Sequence, residues 1–319
     1  MSENNLDLSV NIGGIKLKNP VIAASGTFGN ATEYGGKMDA LAILDVSVLG
    51  GICTKGLTYM PRSGNTGTRI WETASGLLNS IGLENVGIRN FLDNDLPHLR
   101  QLGPAIIANL SGGEADEYVD GARLLDKSSV DIIELNISCP NVKVGGMAFG
   151  LDPGMAAACV SAVRRVIKNK PLMVKLSPNA PNLKMVALSC INAGANALSL
   201  VNTFKGMAID TVNKKPVFEG ISAGLSGPAI KPIALSMVWE LYGTLLDEGK
   251  ANIPIIGLGG IANINDALEF LMAGASAIQV GTATFINPHT MPEIIDGLSE
   301  YMTANKIEHI SEINLRNKK

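Results

Sequence analysis

The sequence predicts an α/β protein, a single (β/α)8 TIM barrel domain that spans residues 1–319. Short apolar runs alternate with longer helical patterns, which is typical of a parallel sheet covered on both faces. Eight such runs occur, the number that closes this barrel. The chain has 35 glycines and only 4% aromatic residues, which favours tight turns and close helix–strand packing over an all-β sandwich.

The elements follow one another along most of the chain. The eight predicted strands cover residues 20–25, 47–56, 105–110, 131–138, 172–177, 197–202, 253–260 and 277–282. The predicted helices cover residues 114–127, 153–168, 182–192, 228–248, 263–272 and 290–303. Near the start, LSVNIGGIKLKNP predicts a β-hairpin that turns at Gly13-Gly14 and caps the barrel bottom. Two long connections, 57–103 and 203–227, are expected to be functional, because long loops in compact domains often are.

An open doubly wound sheet is the rival fold. Such a sheet favours a GxGxxG turn after its first strand, where the backbone approaches a dinucleotide. The first predicted strand is instead followed by SGTFGN, which lacks this spacing. The barrel therefore remains the preferred prediction.

Charge and cysteine content exclude several classes of protein. A net charge of −3 gives no basic field for nucleic acid. The four cysteines form no CxxC pair, so we expect free thiols, a reducing cytoplasm and no metal site. The N-terminus lacks the pattern of a signal peptide, and no apolar run reaches the roughly 18 residues that span a bilayer. We therefore expect a cytoplasmic protein that makes no contact with nucleic acid or membrane.

Polar residues and glycines gather where the predicted strands end, the edge at which barrel enzymes place their chemistry. These residues are Ser25, Lys55, Asn109, Asn136, Cys139, Lys175, Asn202, Gly259, Gly260, Gly281 and Thr282. GLGG and GT, at the ends of strands seven and eight, predict a phosphate site, because glycines let backbone N–H groups approach the anion.

Two of these side chains have several interpretations. Lys175 could favour a flavin whose reduced form is anionic, form a Schiff base, or pair with a barrel carboxylate such as Glu134. Cys139 has amide neighbours and no histidine near a predicted strand end, which favours a general base over a nucleophile. A purely structural Cys139 stays open, whereas Cys53, Cys159 and Cys190 are interpreted as small buried apolar residues.

Motifs between Val21 and Thr282 resemble the class 1 dihydroorotate dehydrogenases. They are TKG, LLNSIGLEN, ELNISCPN, VNT and GLSGPAIKPIAL, in family order over most of the chain. TRIWETASGLLNSIGLEN and GLSGPAIKPIAL are most similar to the NAD-dependent class 1B catalytic subunit. One departure is Leu258 in GLGGI, where many relatives carry Cys or Met; it leaves the backbone phosphate contacts intact.

The resemblance implies an FMN-binding flavoprotein, an oxidoreductase that converts dihydroorotate to orotate in pyrimidine biosynthesis. Cys139 would take the C5 proton, and the C6 hydride would pass to the flavin. The implied substrate-binding residues are Lys55, Asn79, Ser80, Ile81, Gly82, Leu83, Asn136, Asn202 and Thr203. The implied FMN-binding residues are Ser25, Lys55, Gly56, Asn109, Asn136, Lys175, Val201, Gly227, Gly259, Gly260, Gly281 and Thr282. The run VKVGGMAFG after Pro140 is expected to close over the substrate.

The resemblance also implies a partner. The chain has no recognisable FAD or iron–sulfur motif, so FAD and a 2Fe–2S cluster are expected in an electron-transfer subunit that reduces NAD⁺. A homodimer core of a heterotetramer is implied as well. The alternatives are a class 1A enzyme that reduces fumarate, a dihydropyrimidine dehydrogenase-like reductase, an aldolase that uses Lys175, and a non-enzymatic binding barrel. Lys55 argues against the second of these, because uracil and thymine lack a carboxylate.

Overall fold

A computed structural model describes residues 6–31, 34, 43–138 and 149–316. Within them the strands are β1 Val10–Ile12, β2 Ile15–Leu17, β3 Val21–Ala23, β4 Gly51–Cys53, β5 Ile70–Thr73, β6 Gly76–Asn79, β7 Ala105–Leu110, β8 Ile132–Asn136, β9 Leu172–Lys175, β10 Ala197–Leu200, β11 Phe204–Gly206, β12 Ile209–Asp210, β13 Lys215–Pro216, β14 Ala223–Ser226, β15 Ile255–Leu258 and β16 Ala277–Val280. Eight of these strands are parallel and close a barrel in the order β3-β4-β7-β8-β9-β10-β15-β16. The predicted (β/α)8 barrel is therefore confirmed.

The barrel strands are mostly shorter than predicted. Residues after Cys53, Lys175 and Leu200 leave the ladder before the apolar run is over, and they carry the polar side chains of the mouth. At the start of the second predicted strand, Val46–Val48 forms a 3₁₀ turn capped by the Asp45 side chain, so the strand begins at Gly51 rather than at residue 47. The pattern of apolar residues does not show where these strands end, because a strand ends where the backbone of its neighbouring strand diverges from it.

The helices cover the outside of the barrel. They are α1 Ile88–Asn90, α2 Leu96–Leu102, α3 Ala115–Asp126, α4 Pro153–Val166, α5 Leu183–Asn192, α6 Lys231–Asp247, α7 Ile264–Met272, α8 Ala283–Ile286 and α9 Thr290–Asn305. A π-helical segment, Phe91–Asp95, joins α1 to α2, and 3₁₀ turns lie at Phe149–Leu151, Pro228–Ile230 and Ile310–Ile313. Six helices match the predicted ones within three residues at each end, but the α1–α2 segment and α8 were not predicted.

The predicted hairpin lies at the bottom of the barrel. Strands β1 and β2 pair with Ile12 opposite Ile15, so Gly13 and Gly14 form a two-residue turn with φ values of 59° and 98°. Such a turn needs left-handed backbone at both positions, which glycine adopts freely. A Cβ at Gly13 would lie 2.6 Å from Pro171 Cβ, just before β9, so the turn packs closely against the barrel's lower rim.

The two long connections are not plain loops. Each contributes two strands to an antiparallel sheet of order β11-β14-β6-β5, which we call the mouth sheet. The side-chain amide of Asn79 donates to the Gly224 carbonyl at 3.2 Å, so the two connections meet at the barrel mouth. Sequence analysis missed this sheet because its pairing joins segments about 145 residues apart.

The main core is a cluster of buried, mostly aliphatic side chains that runs through the barrel and the surrounding helices, and a small second cluster contains Leu78, Phe218 and Ala223. Burial of this apolar surface supplies the main driving force for folding. Among the helices of the described residues, none is long and apolar enough to cross a membrane.

Candidate active site

A cavity of about 690 Å³ opens at the carboxyl ends of the barrel strands, beneath the mouth sheet. Every predicted site residue in the described part of the chain lines it. These are Ser25, Lys55, Gly56, Asn79, Ser80, Ile81, Gly82, Leu83, Asn109, Asn136, Lys175, Val201, Asn202, Thr203, Gly227, Gly259, Gly260, Gly281 and Thr282. Cys139 lies outside the described residues, and so do residues 142–148 of the predicted closing loop.

Three asparagines form a chain of side-chain contacts at the floor of the cavity. Asn136, at the end of β8, lies with its Nδ2 3.5 Å from Asn109 Oδ1, and Asn202 Nδ2 lies 3.5 Å from Asn136 Oδ1. Ser138 Oγ donates to Asn136 Oδ1 at 2.6 Å and accepts from Asn202 Nδ2. Each amide keeps further donor or acceptor capacity, so the group can satisfy a ring that offers both N–H and C=O groups.

Glu134 lies below these amides, fully buried inside the barrel. Its carboxylate accepts hydrogen bonds from Asn109, Ser199, Gln279 and the thiol of Cys53, at distances from 2.5 to 3.1 Å. Burial alone would raise the pKa of Glu134, but Lys175 and these hydrogen bonds outweigh it and hold the pKa below its usual value. The carboxylate is therefore ionised inside the barrel.

Lys175 is the counter-ion of this carboxylate. Its Nζ lies 4.0 Å from Glu134 Oε2, and its side chain is 5% exposed. The pairing with Glu134, one of the three uses considered for this lysine, is therefore present. A Schiff-base lysine needs an amine that is available to attack a carbonyl, whereas this amine is paired with a buried carboxylate. The aldolase alternative is accordingly disfavoured.

Lys55 provides a second positive charge in the cavity lining, two residues after the end of β4. Its Nζ lies 3.5 Å from Glu84 Oε2, and the same oxygen lies 3.0 Å from Arg69. All three side chains are between 33% and 41% exposed, so solvent weakens these pairs. Arg69 alone can hold Glu84, which leaves Lys55 able to meet an incoming anion.

The segment 80–83 forms one wall and is held from behind. Ser80 N donates to Arg69 O, Asn65 N donates to Ile81 O, and the Asn65 amide donates to Ser80. Gly82 and Leu83 have left-handed backbone, with φ values of 76° and 58°. For leucine this conformation is uncommon, which indicates that the surrounding contacts impose it.

Glycines form the other end of the cavity. Gly227 and Gly260 have φ values of 95° and 77°, and a Cβ at Gly260 would lie 2.8 Å from the Gly227 carbonyl oxygen. The backbone N–H groups of Gly260 and Thr282 donate to no protein acceptor within the described residues. Converging glycines with free N–H donors are what a phosphate group requires, so this end fits the predicted phosphate site.

Sequence analysis missed several residues that line the cavity or contact its lining. Gln279 resembles Lys175 in being a polar residue inside an apolar strand, a signal that could have identified it. Its Nε2 donates to Glu134 at 3.0 Å, while its buried Oε1 has no partner in the described residues. Glu84 and Ser138 lie within the motifs LLNSIGLEN and ELNISC, but neither was assigned a role.

The three described cysteines are free thiols. Cys159 and Cys190 are buried between helices as predicted, and burial raises the pKa of each to about 12. The prediction for Cys53 was incomplete. Its thiol donates to Glu134, so it is part of the polar network, and burial, followed by the Glu134 charge, raises its pKa well above the usual value.

Comparisons with known proteins agree with this arrangement. The family described as "Dihydroorotate dehydrogenase" matches residues 7–302. The catalytic subunits named dihydroorotate dehydrogenase B (NAD(+)) of Petrotoga mobilis and Geotalea daltonii are 52% and 49% identical to this chain. The first alignment covers 97% of this chain and 98% of the relative, and the second covers 96% and 97%.

A solved structure, the DHODH of Eimeria tenella in complex with ferulenol, superposes with a TM-score of 0.76. The superposition covers 100% of this chain and 91% of that one, but the sequence identity is 21%, so it supports the fold alone. The family match and the two relatives confirm the resemblance to class 1B catalytic subunits, and the chain belongs to the dihydroorotate dehydrogenase family.

Proposed function

We propose that this chain oxidises dihydroorotate to orotate in pyrimidine biosynthesis, as the FMN-binding catalytic subunit of an NAD⁺-dependent enzyme. One observation carries the proposal. A single cavity joins Lys55, the amides of Asn136 and Asn202, and a glycine-rich end with free backbone donors. The proposed ligands have matching chemistry, since orotate has a carboxylate and ring amide groups while FMN has a phosphate.

The described residues fit FMN at both ends of the flavin. Glycines 227, 259, 260 and 281, with Thr282, would hold the phosphate through backbone N–H groups. Ser25, Gly56, Asn109 and Val201 would line the flavin, and Lys175, paired with Glu134, would face its ring. When bound, FMN accepts the hydride that leaves C6 of dihydroorotate.

Substrate binding is assigned to the opposite side of the cavity. Lys55 would neutralise the substrate carboxylate, with segment 80–83 beside it. Asn79, Asn136, Asn202 and Thr203 would pair with the ring N–H and C=O groups. Ser138, the residue before Cys139, is hydrogen-bonded to both Asn136 and Asn202. It therefore lies next to the amides that are assigned to this ring.

Removal of the substrate's C5 proton is assigned to Cys139. In the proposed step the Cys139 thiolate takes the C5 proton as hydride leaves C6, which forms the C5=C6 double bond of orotate. No histidine lines the cavity in the described residues, which supports a base rather than a histidine-activated nucleophile. A free thiol titrates near 8.5, so activity should rise in mildly alkaline solution.

A partner subunit is proposed because the similar proteins are named catalytic subunits of an NAD(+) enzyme. We place FAD and a 2Fe–2S cluster in that partner, with a homodimer of this chain at the centre of a heterotetramer. Exposed apolar side chains border the cavity mouth, namely Ile70, Phe285 and Ile286, and a protein contact would cover them. The cytoplasm remains the predicted compartment, on the basis of the free thiols.

Anaerobic titration of the purified yellow protein with dihydroorotate tests the proposal. We expect one equivalent of dihydroorotate to bleach the flavin absorbance, and no bleaching would contradict the proposed reaction. NAD⁺ reduction should then require the added electron-transfer subunit. Rapid fumarate reduction by this chain alone would instead favour the class 1A alternative.

A further inference from the structure

Lys231 and Asp266 form a clamp beside the glycine-rich end of the cavity. Lys231 is the first residue of α6, and Asp266 lies in the first turn of α7. Lys231 Nζ lies 2.7 Å from Asp266 Oδ1 and 2.9 Å from Glu269 Oε2. The Lys231 and Asp266 side chains are 25% and 10% exposed, so this pair is much less solvated than the surface pairs of the chain. Hydrogen bonds to Asp266 and Glu269 raise the pKa of Lys231.

Asp266 also fastens the turn that follows β15. Its second oxygen, Oδ2, accepts a hydrogen bond from Ala262 N at 2.9 Å, and its backbone N–H donates to the Asn263 side chain at 3.0 Å. Ala262 is two residues after Gly260. A single carboxylate therefore joins Lys231 to the backbone immediately after the glycine pair.

Lys231 touches this turn through its backbone as well. A Cβ at Gly260 would lie 2.8 Å from Lys231 Cβ and 2.9 Å from Lys231 N. The same Cβ would lie 2.8 Å from the Gly227 carbonyl oxygen. Residues 227–231 and 260–262 are thus in direct contact, and they come from different βα units of the barrel. Their relative position determines where the N–H groups of Gly260 and its neighbours point.

We propose that Lys231 and Asp266 are positioning residues for the phosphate monoester of the flavin and set the preference for FMN over riboflavin. The inference rests on the proposed function. It adds two residues that are not among the proposed FMN contacts. Two carboxylates already neutralise Lys231, so it acts through the glycine backbone rather than as the main phosphate charge. A cation at a helix N-terminus also opposes the helix dipole, and this pairing offsets that cost.

The test uses full-length protein freed of flavin and two probes, FMN and riboflavin, which differ by the phosphate alone. Dissociation constants come from quenching of flavin fluorescence. Lys231→Met and Asp266→Ala are compared with wild type and with Lys184→Met. Lys184 pairs with Glu240 at 3.1 Å on the surface between α5 and α6, so it is a matched ion-pair control.

We expect both clamp variants to weaken FMN binding by about ten-fold, the size of one supporting hydrogen bond, with riboflavin affinity unchanged. The two variants change the local charge in opposite directions. Charge alone would make Asp266→Ala bind FMN more tightly, and that result would overturn the clamp. Equal weakening of both flavins, or a Lys184→Met effect of the same size, would overturn it too. Failure of wild type to bind FMN would reject the proposed function itself.

Discussion

The two ends of the barrel use asparagine in different ways. At the bottom, Asn19 Oδ1 accepts from Val21 N, and Asn196 Oδ1 accepts from Leu172 N, so each amide oxygen satisfies a backbone N–H at the start of a strand. At the mouth, the side-chain oxygens of Asn136 and Asn202 accept from the backbone N–H groups of Ser138 and Thr203, and both amides also contact other side chains. The residue type is the same, but the bottom amides cap strands, whereas the mouth amides also contact one another.

This difference separates stability from function. An amide that caps a strand has its acceptor occupied by the fold, and removing it leaves a backbone donor unsatisfied. An amide held by neighbouring amides keeps capacity for a ligand, and the fold depends on it less. Substitutions at the bottom should therefore change the free energy of unfolding, and substitutions at the mouth should change binding and turnover.

Cys139→Ala should have the largest effect on function. We expect dihydroorotate oxidation to fall by about 10²-fold or more, the usual contribution of a positioned base, with flavin content retained. Steady-state kinetics measure the rate of oxidation, and flavin absorbance measures the flavin content. The control is Cys159→Ala on α4, which should lower stability by roughly 1 kcal/mol and leave the rate unchanged. Full activity in Cys139→Ala would refute the assigned base.

Asn136→Ala and Asn196→Ala compare the two ends directly. Asn136→Ala should weaken orotate binding by about ten-fold or more, because a buried amide pairs with the ring. Asn196→Ala should lower the free energy of unfolding by about 1–3 kcal/mol and leave orotate affinity unchanged. Orotate titration and urea denaturation of both variants provide the data, and reversed effects would contradict the comparison.

Lys55→Ala tests the carboxylate contact. We expect a roughly ten-fold loss of orotate affinity, since one charge-assisted hydrogen bond is lost, and a smaller loss for an uncharged pyrimidine. Titration of each ligand, followed by the flavin absorbance, measures both affinities. Lys168 is an exposed lysine near the hairpin at the barrel bottom, so Lys168→Ala is the control and should bind orotate normally. Unchanged orotate affinity in Lys55→Ala would argue against the contact.

Asp126→Asn should have the smallest effect, seen in the pH dependence of stability. Burial would raise the pKa of Asp126, but hydrogen bonds from Asn169 and the backbone of residues 168–170 lower it overall. The carboxylate therefore contributes stability above its unfolded pKa of about 3.9 and loses it as the pH falls through the lower folded value. We expect the variant to be about 1 kcal/mol less stable at pH 7 and the gap to close below pH 4. Urea midpoints across pH 3–7 measure this gap, and a constant gap would contradict the assignment.

Much of the barrel could be predicted because its signals are local. Apolar runs identified all eight barrel strands, and glycines with polar strand ends identified cavity residues at the end of each barrel strand. The mouth sheet could not be predicted, since β6 and β14 are short and pair over a long sequence separation. The polar role of Cys53 was missed for a similar reason, because it depends on contact with Glu134 of β8. Gln279 differs, since a polar residue inside an apolar strand is a local signal.

The sequence by itself determined the order of the eight barrel strands and of six helices, the polar residues at the strand ends and the motifs of the dihydroorotate dehydrogenase family, because each depends on nearby residues. The tertiary structure alone decided which side chains meet. Barrel closure brings Glu134 of β8 to Lys175 of β9 and to Gln279 of β16. Helices α6 and α7 likewise bring Lys231 to Asp266. These contacts depend on strand register and helix packing, which no local pattern encodes.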